Sequence, residues 1–202
     1  MKVTLLRLTE NPLNLISQAY RLCYASMPKD NPEEEDKFIK ACIKNEHTSP
    51  IEHASATFLV EGISRTCSHQ LVRHRLASYT QESQRYVDAA GYKYTIPESV
   101  TKNKKLFDQF KTSITLAELT YKDLVKSGIK KEDARFILPQ AIHTKIMVTI
   151  NFRALRNLFN LRLDKRAQWE IRHVAADMVA ALFQREPRIL CIFGDILEKH
   201  SN

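Results

Sequence analysis

The sequence predicts an α/β protein of the α+β type, in which long helices pack on a small mixed or antiparallel sheet. Residues 54–63 and 146–150 are rich in apolar and β-branched side chains and predict strands. Apolar side chains recur every three or four residues along 99–126 and 167–184, which predicts long amphipathic helices. No linker or repeat interrupts the chain, so we expect a single domain over residues 1–202.

The N-terminal region predicts one strand and two helices. Residues 2–8 alternate enough to form an edge strand. Asn11-Pro12 and Asn31-Pro32 each combine an N-capping residue with a proline suited to the first helical position. We therefore expect a helix after each asparagine.

The middle of the chain predicts a strand, a short helix and a polar segment in that order. Ser64 follows the 54–63 strand and can cap a short helix. Residues 87–96 are expected to be extended, and the 99–126 helix is expected to end near Gly128. Residues 131–138 predict another short helix.

A helix over residues 151–162 is predicted directly after the 146–150 strand. Arg153 and Asn157 are four residues apart and therefore share one face of it, and Arg162 lies at its far end. A final helix is predicted over 167–184. Its buried face is expected to consist of Ile171, Val174, Ala175, Met178 and Leu182.

Composition indicates a globular protein with anionic partners. The chain is 44% hydrophobic and 27% charged, with a formal net charge of +8. Nucleic acids, nucleotides and acidic cofactors are all compatible with that charge. The early charges at the N-terminus do not suit a signal peptide, and no apolar run approaches the ~20 residues of a membrane span. We therefore expect a soluble, cytoplasmic protein.

The cysteines and histidines do not predict a metal or redox site. The four cysteines are scattered without paired spacing, as expected of thiols in a reducing compartment. His47 and His53 flank a polar turn that lacks a further cluster of ligands. We expect no bound metal.

Residues 73–85 carry the strongest functional signal. Arg73, His74 and Arg75 are consecutive, so on a helix they would not share a face, which favours a helix end or loop. Guanidinium groups pair with phosphate oxygens, and the hydroxyls of Ser78 and Ser83 can complete an anion pocket. A solvated basic turn is the alternative.

The same residues resemble the signature of flavin-dependent thymidylate synthases: Arg-His-Arg, two residues, Ser78, four residues, Ser83, one residue and Arg85. At frequencies of ~5% per residue, these six positions would coincide on the order of once in 10⁷–10⁸ starts. Further similar segments follow in matching order from about residue 45 to 175: Ser49-Pro50, Glu52-His53, Arg135, Leu138-Pro139, residues 151–162 and residues 167–170.

The resemblance implies a fold, a reaction and an assembly. Members are homotetramers of one α/β domain, with active sites shared between subunits. They convert deoxyuridine monophosphate (dUMP) to thymidine monophosphate (dTMP), with methylenetetrahydrofolate as carbon donor, NADPH as reductant and FAD as the redox cofactor. The partners expected for this chain are therefore dUMP and folate, without nucleic acid or membrane.

The resemblance also implies the site residues. Arg162 is the expected catalytic residue, because a permanent cation beside the uracil ring favours its ionisation. Expected dUMP contacts are Gln70, Leu71, Val72, Arg73, Gln81, Glu82, Ser83, Gln84, Arg85, Arg135 and Arg162. Expected FAD contacts are Ser49, Arg73, His74, Arg75, Gln81, Asn151, Phe152, Arg153 and Asn157.

Two positions depart from the pattern of some members, and one serine admits two roles. Glutamate in some members replaces Gln81, and histidine replaces Arg166, so neither position is assigned a charge-dependent or basic role. Ser83 is expected to donate a hydrogen bond to phosphate rather than act as a nucleophile, because no oriented base is evident. A basic module that binds nucleic acid and a non-catalytic nucleotide-binding oligomer are the alternative functions.

Overall fold

The strands form one four-stranded sheet in the order β1-β2-β4-β3, in a computed structural model that describes residues 1–27, 29 and 31–201. The strands are β1 (Lys2–Leu8), β2 (Ser55–Ser64), β3 (Ala77–Gln81) and β4 (His143–Asn151). The Thr9 amide donates to the Ser55 carbonyl (3.0 Å) and the Phe152 amide to the Ala54 carbonyl (2.9 Å), so β1 and β4 are both antiparallel to β2. β1 is an edge strand, as predicted.

Helices account for most of the remaining regular structure, which confirms the α+β class. They are α1 (Pro12–Cys23), α2 (Pro32–Lys44), α3 (Arg65–Leu71), α4 (Glu98–Thr101), α5 (Lys104–Lys126), α6 (Lys131–Ala134), α7 (Phe152–Arg162), α8 (Trp169–Arg185) and α9 (Leu190–Ser201). Short 3₁₀ helices occupy Ser49–His53, Arg135–Ile137 and Pro187–Ile189. Among the described residues, every helix is too short or too polar to cross a bilayer.

The chain divides into two compact units. The first unit comprises Met1, Glu61–Gln70 and Thr80–Ile146. The second unit comprises Lys2–Val60, Leu71–Tyr79 and the residues from Met147 onward. A single domain over the whole chain remains a prediction.

The core of the second unit includes buried side chains of α7, α8 and α9. All five predicted core residues of α8 are fully buried, as its helical periodicity indicated. Phe152 and Phe159 of α7 each pack edge-on against Phe193, with ring centroids 5.4 Å apart. The Asn151 side chain caps α7 by accepting the Ala154 amide (2.9 Å). This buried face leaves Arg153 and Asn157 on the exposed side of α7.

The first unit has a smaller core around Tyr121 of α5. Ala89, Ala134 and Ile142 are buried with it, and the Tyr121 hydroxyl accepts the Ala89 amide (3.3 Å). The other apolar residues at helical spacing along α5 are only half-buried: Phe107, Phe110, Ile114, Ala117, Leu124 and Val125. Much of the apolar surface of this long helix is therefore exposed.

Three predicted elements differ from the structure. The 99–126 helix is divided into α4 and α5, because Asn103 is extended and caps a new helix by accepting the Leu106 amide (3.2 Å). The 131–138 helix is α only through Ala134 and then becomes 3₁₀. Residues 87–96, which we expected to be extended, instead contain a bend at residue 87 and a turn at residues 90–91, with one isolated bridge between Tyr94 and Ile142.

The N-cap of α1 was predicted at the correct position but with the wrong interaction. Asn11 is the N-cap residue of α1, yet its side chain makes no capping hydrogen bond. Its backbone is left-handed, with a φ of 44°, a conformation that asparagine tolerates better than most residues. In contrast, the Asn31 side chain accepts the Glu33 amide (3.0 Å), as expected of an N-cap.

Candidate active site

The segment that follows α3 begins with a tight turn and continues into β3. The His74 amide donates to the Leu71 carbonyl (3.1 Å). The Tyr79 hydroxyl donates towards the Leu71 and His74 carbonyls, each 2.9 Å away. Burial raises the pKa of Tyr79 to about 12, so its hydroxyl keeps its proton at neutral pH. The predicted loop is therefore partly strand, and β3 anchors the turn.

This turn borders a cavity of about 690 Å³ within the second unit, here called the large cleft. Its other walls are the exposed face of α7 and Glu52. The lining residues are Glu52, Arg73, His74, Arg75, Leu76, Asn151, Arg153, Ala154, Asn157, Leu161 and Arg162. The turn and α7, which are far apart in sequence, are thus brought to one cavity.

The large cleft is strongly cationic. Four of its residues are arginines, and Glu52 is its one acidic lining residue. Arg153 forms an ion pair with Glu52, and both side chains are about half exposed. Exposed pairs of this kind contribute at most about 1 kcal/mol, so an incoming anion can replace the carboxylate at small cost.

His74 and Arg162 are joined inside this cleft. The Arg162 Nε–H donates to His74 Nε2 at 2.9 Å, although 88 residues separate them in sequence. His74 is only 7% exposed. Burial, and secondarily the Arg162 charge, lower the pKa of His74 to about 4. The imidazole is therefore neutral at pH 7, as an acceptor nitrogen requires.

Arg156 on α7 has a different environment from the arginines of the cleft. Its guanidinium pairs with both carboxylate oxygens of Asp195 (2.7 and 2.6 Å) and donates to the Ile192 carbonyl. These bonds join α7 to α9. Arg156 is therefore a structural arginine, whereas Arg153 and Arg162 line the cleft.

A second cavity, about 290 Å³ in volume, lies within the first unit and is here called the small cleft. It is lined by Arg65, His69, Gln84, Arg135, Phe136, Leu138, Pro139, Gln140 and Ile142. Burial, and next the nearby Arg135 charge, lower the pKa of Arg65. Two like charges held together in a partly buried place favour a bound anion.

Residues Gln81 to Arg85 also belong to the first unit. Gln81 Nε2 donates to Ser68 Oγ (2.9 Å) and Thr144 Oγ1 (3.1 Å), and Glu82 accepts the Tyr92 hydroxyl (2.8 Å). Ser83 Oγ accepts the Arg85 amide (3.3 Å). Of the predicted residues in this segment, Gln84 is the one that lines the small cleft.

Glu132 links two of the predicted nucleotide contacts. Its carboxylate accepts the Arg85 Nε–H (3.0 Å), and its carbonyl accepts the Arg135 Nε–H (3.1 Å). The Arg85–Glu132 pair is largely exposed, so its carboxylate is replaceable by another anion.

The structure thus separates the predicted residues into groups. Arg73, His74, Arg75, Asn151, Arg153, Asn157 and Arg162 line the large cleft, and Gln84 and Arg135 line the small one. Ser49 is exposed outside both linings. Leu71 and Phe152 are fully buried in this structure and offer no surface to a ligand. The remaining predicted residues are outside both linings: Gln70, Val72, Gln81, Glu82, Ser83 and Arg85.

Comparison with known proteins determines the family. The family model described as "Thymidylate synthase complementing protein" matches residues 4–188. A flavin-dependent thymidylate synthase from Geobacter sulfurreducens is 45% identical over 187 residues, which cover 89% of this chain and 81% of that protein. The chain belongs to the flavin-dependent thymidylate synthase family.

Other members of the family match at similar levels. The flavin-dependent thymidylate synthase of Pyrococcus abyssi is 43% identical, over 92% of this chain and 80% of its own length. That of Nitratidesulfovibrio vulgaris is 41% identical, over 98% of this chain and 89% of its own length. These matches confirm the resemblance inferred from residues 73–85.

Sequence reasoning missed several lining residues of this family member. Leu161 shares the exposed face of α7 with Arg153 and Asn157, and Ala154, although buried, lies three residues before Asn157, so extending the helical spacing would have identified both. Arg65 and His69 are four residues apart on α3, which is a comparable signal. Glu52 was noted in the sequence only within a segment that resembles the family, because its relation to Arg153 arises only in the folded chain.

Proposed function

We propose that this protein is a flavin-dependent thymidylate synthase. It methylates dUMP to dTMP, with methylenetetrahydrofolate as the carbon donor, FAD as the cofactor and NADPH as the reductant. Family membership supports this assignment. The structural observation that carries it is the gathering of Arg73, Arg75, Arg153 and Arg162 around one cavity.

The large cleft fits FAD by its donor set. FAD carries a pyrophosphate, and the arginines supply planar donors that match its oxygens. The amides of Asn151 and Asn157 can bond to polar edges of the cofactor, and Leu76, Ala154 and Leu161 supply apolar surface. When bound, FAD supplies the redox chemistry that makes a methyl group of the transferred carbon. Arg73, Arg75, Asn151, Arg153 and Asn157 are its proposed binding residues, whereas His74 lines the same cleft but is only 7% exposed.

The small cleft fits the monoester phosphate of dUMP. Arg135 and Arg65 provide the positive charge, and Gln84 and His69 provide further polar groups. The mutual repulsion of the two arginines is relieved when a dianion binds between them. Arg85 is tied to the same segment through Glu132 and can turn to the phosphate when this exposed pair opens.

Ser83 is proposed as a ligand of the nucleotide rather than a nucleophile. Its Oγ accepts the Arg85 amide (3.3 Å), so the hydroxyl proton can point to a phosphate oxygen. His74, the histidine nearest in sequence, accepts from Arg162 instead. The described contacts of Ser83 therefore lack the oriented base that nucleophilic catalysis requires.

Arg162 is the proposed catalytic residue. Its guanidinium keeps its charge throughout the reaction, so it stabilises negative charge that develops on the uracil ring. It lies at the C-terminal end of α7 and lines the large cleft. Placement by α7 and by His74 gives this charge a fixed position before substrate arrives.

A homotetramer with shared active sites is part of the proposal. Leu106, Leu116 and Leu119 of α5 are 49%, 65% and 53% exposed, although they belong to the longest helix. Burial of such leucines against other subunits would stabilise the assembly. Sedimentation equilibrium tests this, with a tetramer expected and a monomer at micromolar concentration contradicting it. A cytoplasmic location belongs to the same proposal.

The experiment that tests the function combines absorbance with turnover. Purified protein is expected to show flavin absorbance that NADPH bleaches, and to form dTMP from dUMP and methylenetetrahydrofolate only when NADPH is present. Colourless protein that binds oligonucleotides with strong salt dependence would instead support the nucleic-acid module. Flavin-containing protein that fails to form dTMP would contradict the proposed reaction.

A further inference from the structure

His74 has the geometry of a residue that acts through Arg162. The 2.9 Å bond between Arg162 Nε and His74 Nε2 joins the last residue of α7 to the turn before β3. Both residues line the large cleft. The His74 side chain is nevertheless only 7% exposed, so it offers little surface to a ligand.

The protonation state of His74 is set by this bond. A neutral imidazole carries its proton on one nitrogen and a lone pair on the other. Because Nε2 accepts from Arg162, the proton is on Nδ1. The lowered pKa of His74, about 4, agrees with this arrangement at neutral pH.

The turn holds His74 firmly enough to orient another side chain. The His74 amide donates to the Leu71 carbonyl (3.1 Å), and its carbonyl accepts the Tyr79 hydroxyl (2.9 Å). A fixed acceptor at Nε2 determines the direction of the Arg162 Nε–H. The guanidinium is planar, so fixing this N–H also fixes the plane of the whole group.

We propose that His74 is a positioning residue, which accepts the Arg162 Nε–H and sets the plane of the guanidinium for the uracil ring. This role rests on the proposed function of Arg162. It also differs from the FAD contact that the family resemblance implies for His74. A misaligned charge at a reaction centre lowers kcat more than it changes substrate binding.

Two amide substitutions provide a matched test. In His74→Gln the side-chain oxygen can reach the position of Nε2, whereas in His74→Asn it reaches only about as far as Nδ1. We expect His74→Asn to lower kcat by about 10- to 100-fold, the value of a hydrogen bond to a charged group. The KM for dUMP and the bound FAD should each change by less than about threefold. We expect His74→Gln to recover most of the lost kcat.

A double-mutant cycle tests whether His74 acts through Arg162. Arg162→Lys keeps the positive charge but removes the Nε–H donor. If His74 acts through that donor, adding His74→Asn to Arg162→Lys should lower kcat by no more than about twofold further. Additive losses, equal effects of the Gln and Asn substitutions, or loss of FAD from His74→Asn would each overturn the proposal.

Nitrogen NMR of protein labelled with ¹⁵N-histidine separates this proposal from the proposed function, because it requires no turnover. The His74 signals are assigned by their disappearance in His74→Gln. We expect a proton on Nδ1 and none on Nε2 at pH 7, with the Nε2 shift changing in Arg162→Lys. A proton on Nε2 would overturn the positioning role even in an active enzyme. If His74 has the expected tautomer in protein that makes no dTMP, the result contradicts the proposed reaction but not the bond between His74 and Arg162.

Discussion

The two cationic clefts differ in how their charges are arranged. In the large cleft, arginines from separate segments line a wide cavity, and Arg162 and Arg153 each have a partner there. In the small cleft, Arg65 and Arg135 repel each other, and the cavity has less than half the volume of the large cleft. A wide cavity with distributed donors suits an extended dianionic cofactor, whereas a compact pair of cations suits a single phosphate. On the basis of this difference we propose FAD for the large cleft and the nucleotide phosphate for the small one.

Replacement of Arg162 should have the largest effect. Loss of one preorganised group that stabilises transition-state charge reduces turnover by about 100- to 1,000-fold, and we expect this of Arg162→Ala. FAD content and the thermal midpoint should remain close to those of the wild type. Steady-state dTMP formation measures the loss.

Arg166 provides a matched control for that substitution. Arg166 lies four residues beyond Arg162 in sequence, and its side chain is 91% exposed and pairs with Asp164. We expect Arg166→Ala to retain turnover within about threefold, because exposed ion pairs contribute little. Equal losses in the two variants would contradict a specific role for Arg162.

Replacement of Arg135 should separate the small cleft from the large one. Removal of a charged hydrogen bond to phosphate is expected to raise the KM for dUMP by about 10- to 100-fold in Arg135→Gln. The FAD bound per subunit should not change. Lys122→Ala, which removes an exposed cation from α5 in the same unit, is the control. Loss of FAD from Arg135→Gln would show that the two clefts were assigned wrongly.

Acid should destabilise the protein through His74. Its folded-state pKa is lowered from 6.5 to about 4, so the unfolded chain takes up a proton first as the pH falls. Stability is therefore lost as the pH falls through about 6.5, and the loss is complete below about 4. From pH 7.5 to 5 this amounts to about 2 kcal/mol.

Urea unfolding of the wild type and His74→Gln at both pH values measures that contribution. The substitution removes the titrating group while other ionisable groups are unchanged. The acid-induced loss should therefore be smaller in the variant by about 2 kcal/mol. An identical loss in both proteins would contradict a buried, neutral His74.

Substitutions of Arg153 and Arg156 should affect different properties of the protein, although both residues belong to α7. We expect Arg153→Gln to weaken FAD binding by about tenfold with little change in stability, because its side chain is exposed in the large cleft. Arg156→Gln should lower the free energy of unfolding by about 1–3 kcal/mol, because it removes the bonds to Asp195 and Ile192. Flavin fluorescence titration and urea unfolding distinguish them.

The most predictable parts of the fold were those with long periodic patterns. The α8 core residues and the shared face of Arg153 and Asn157 followed directly from helical spacing. β3 was missed because its five residues, Ala77–Gln81, are mostly polar and lie within a motif that resembles a loop. α9 was also missed, and the single helix expected over 99–126 is interrupted at Asn103.

Site residues were predictable where chemistry was concentrated in one motif. Arg73, His74 and Arg75 stood out in the sequence and do line one cavity. The bond from Arg162 to His74 and the pair formed by Glu52 and Arg153 could not be predicted, because each joins segments about 90 to 100 residues apart. Such contacts depend on tertiary packing rather than on local sequence.

The most direct test is a crystal structure of the protein grown with FAD and dUMP. The account predicts that the pyrophosphate of FAD contacts arginines of the large cleft and that the dUMP phosphate contacts Arg135 in the small cleft. A structure in which FAD binds elsewhere and the large cleft contains only solvent would contradict it.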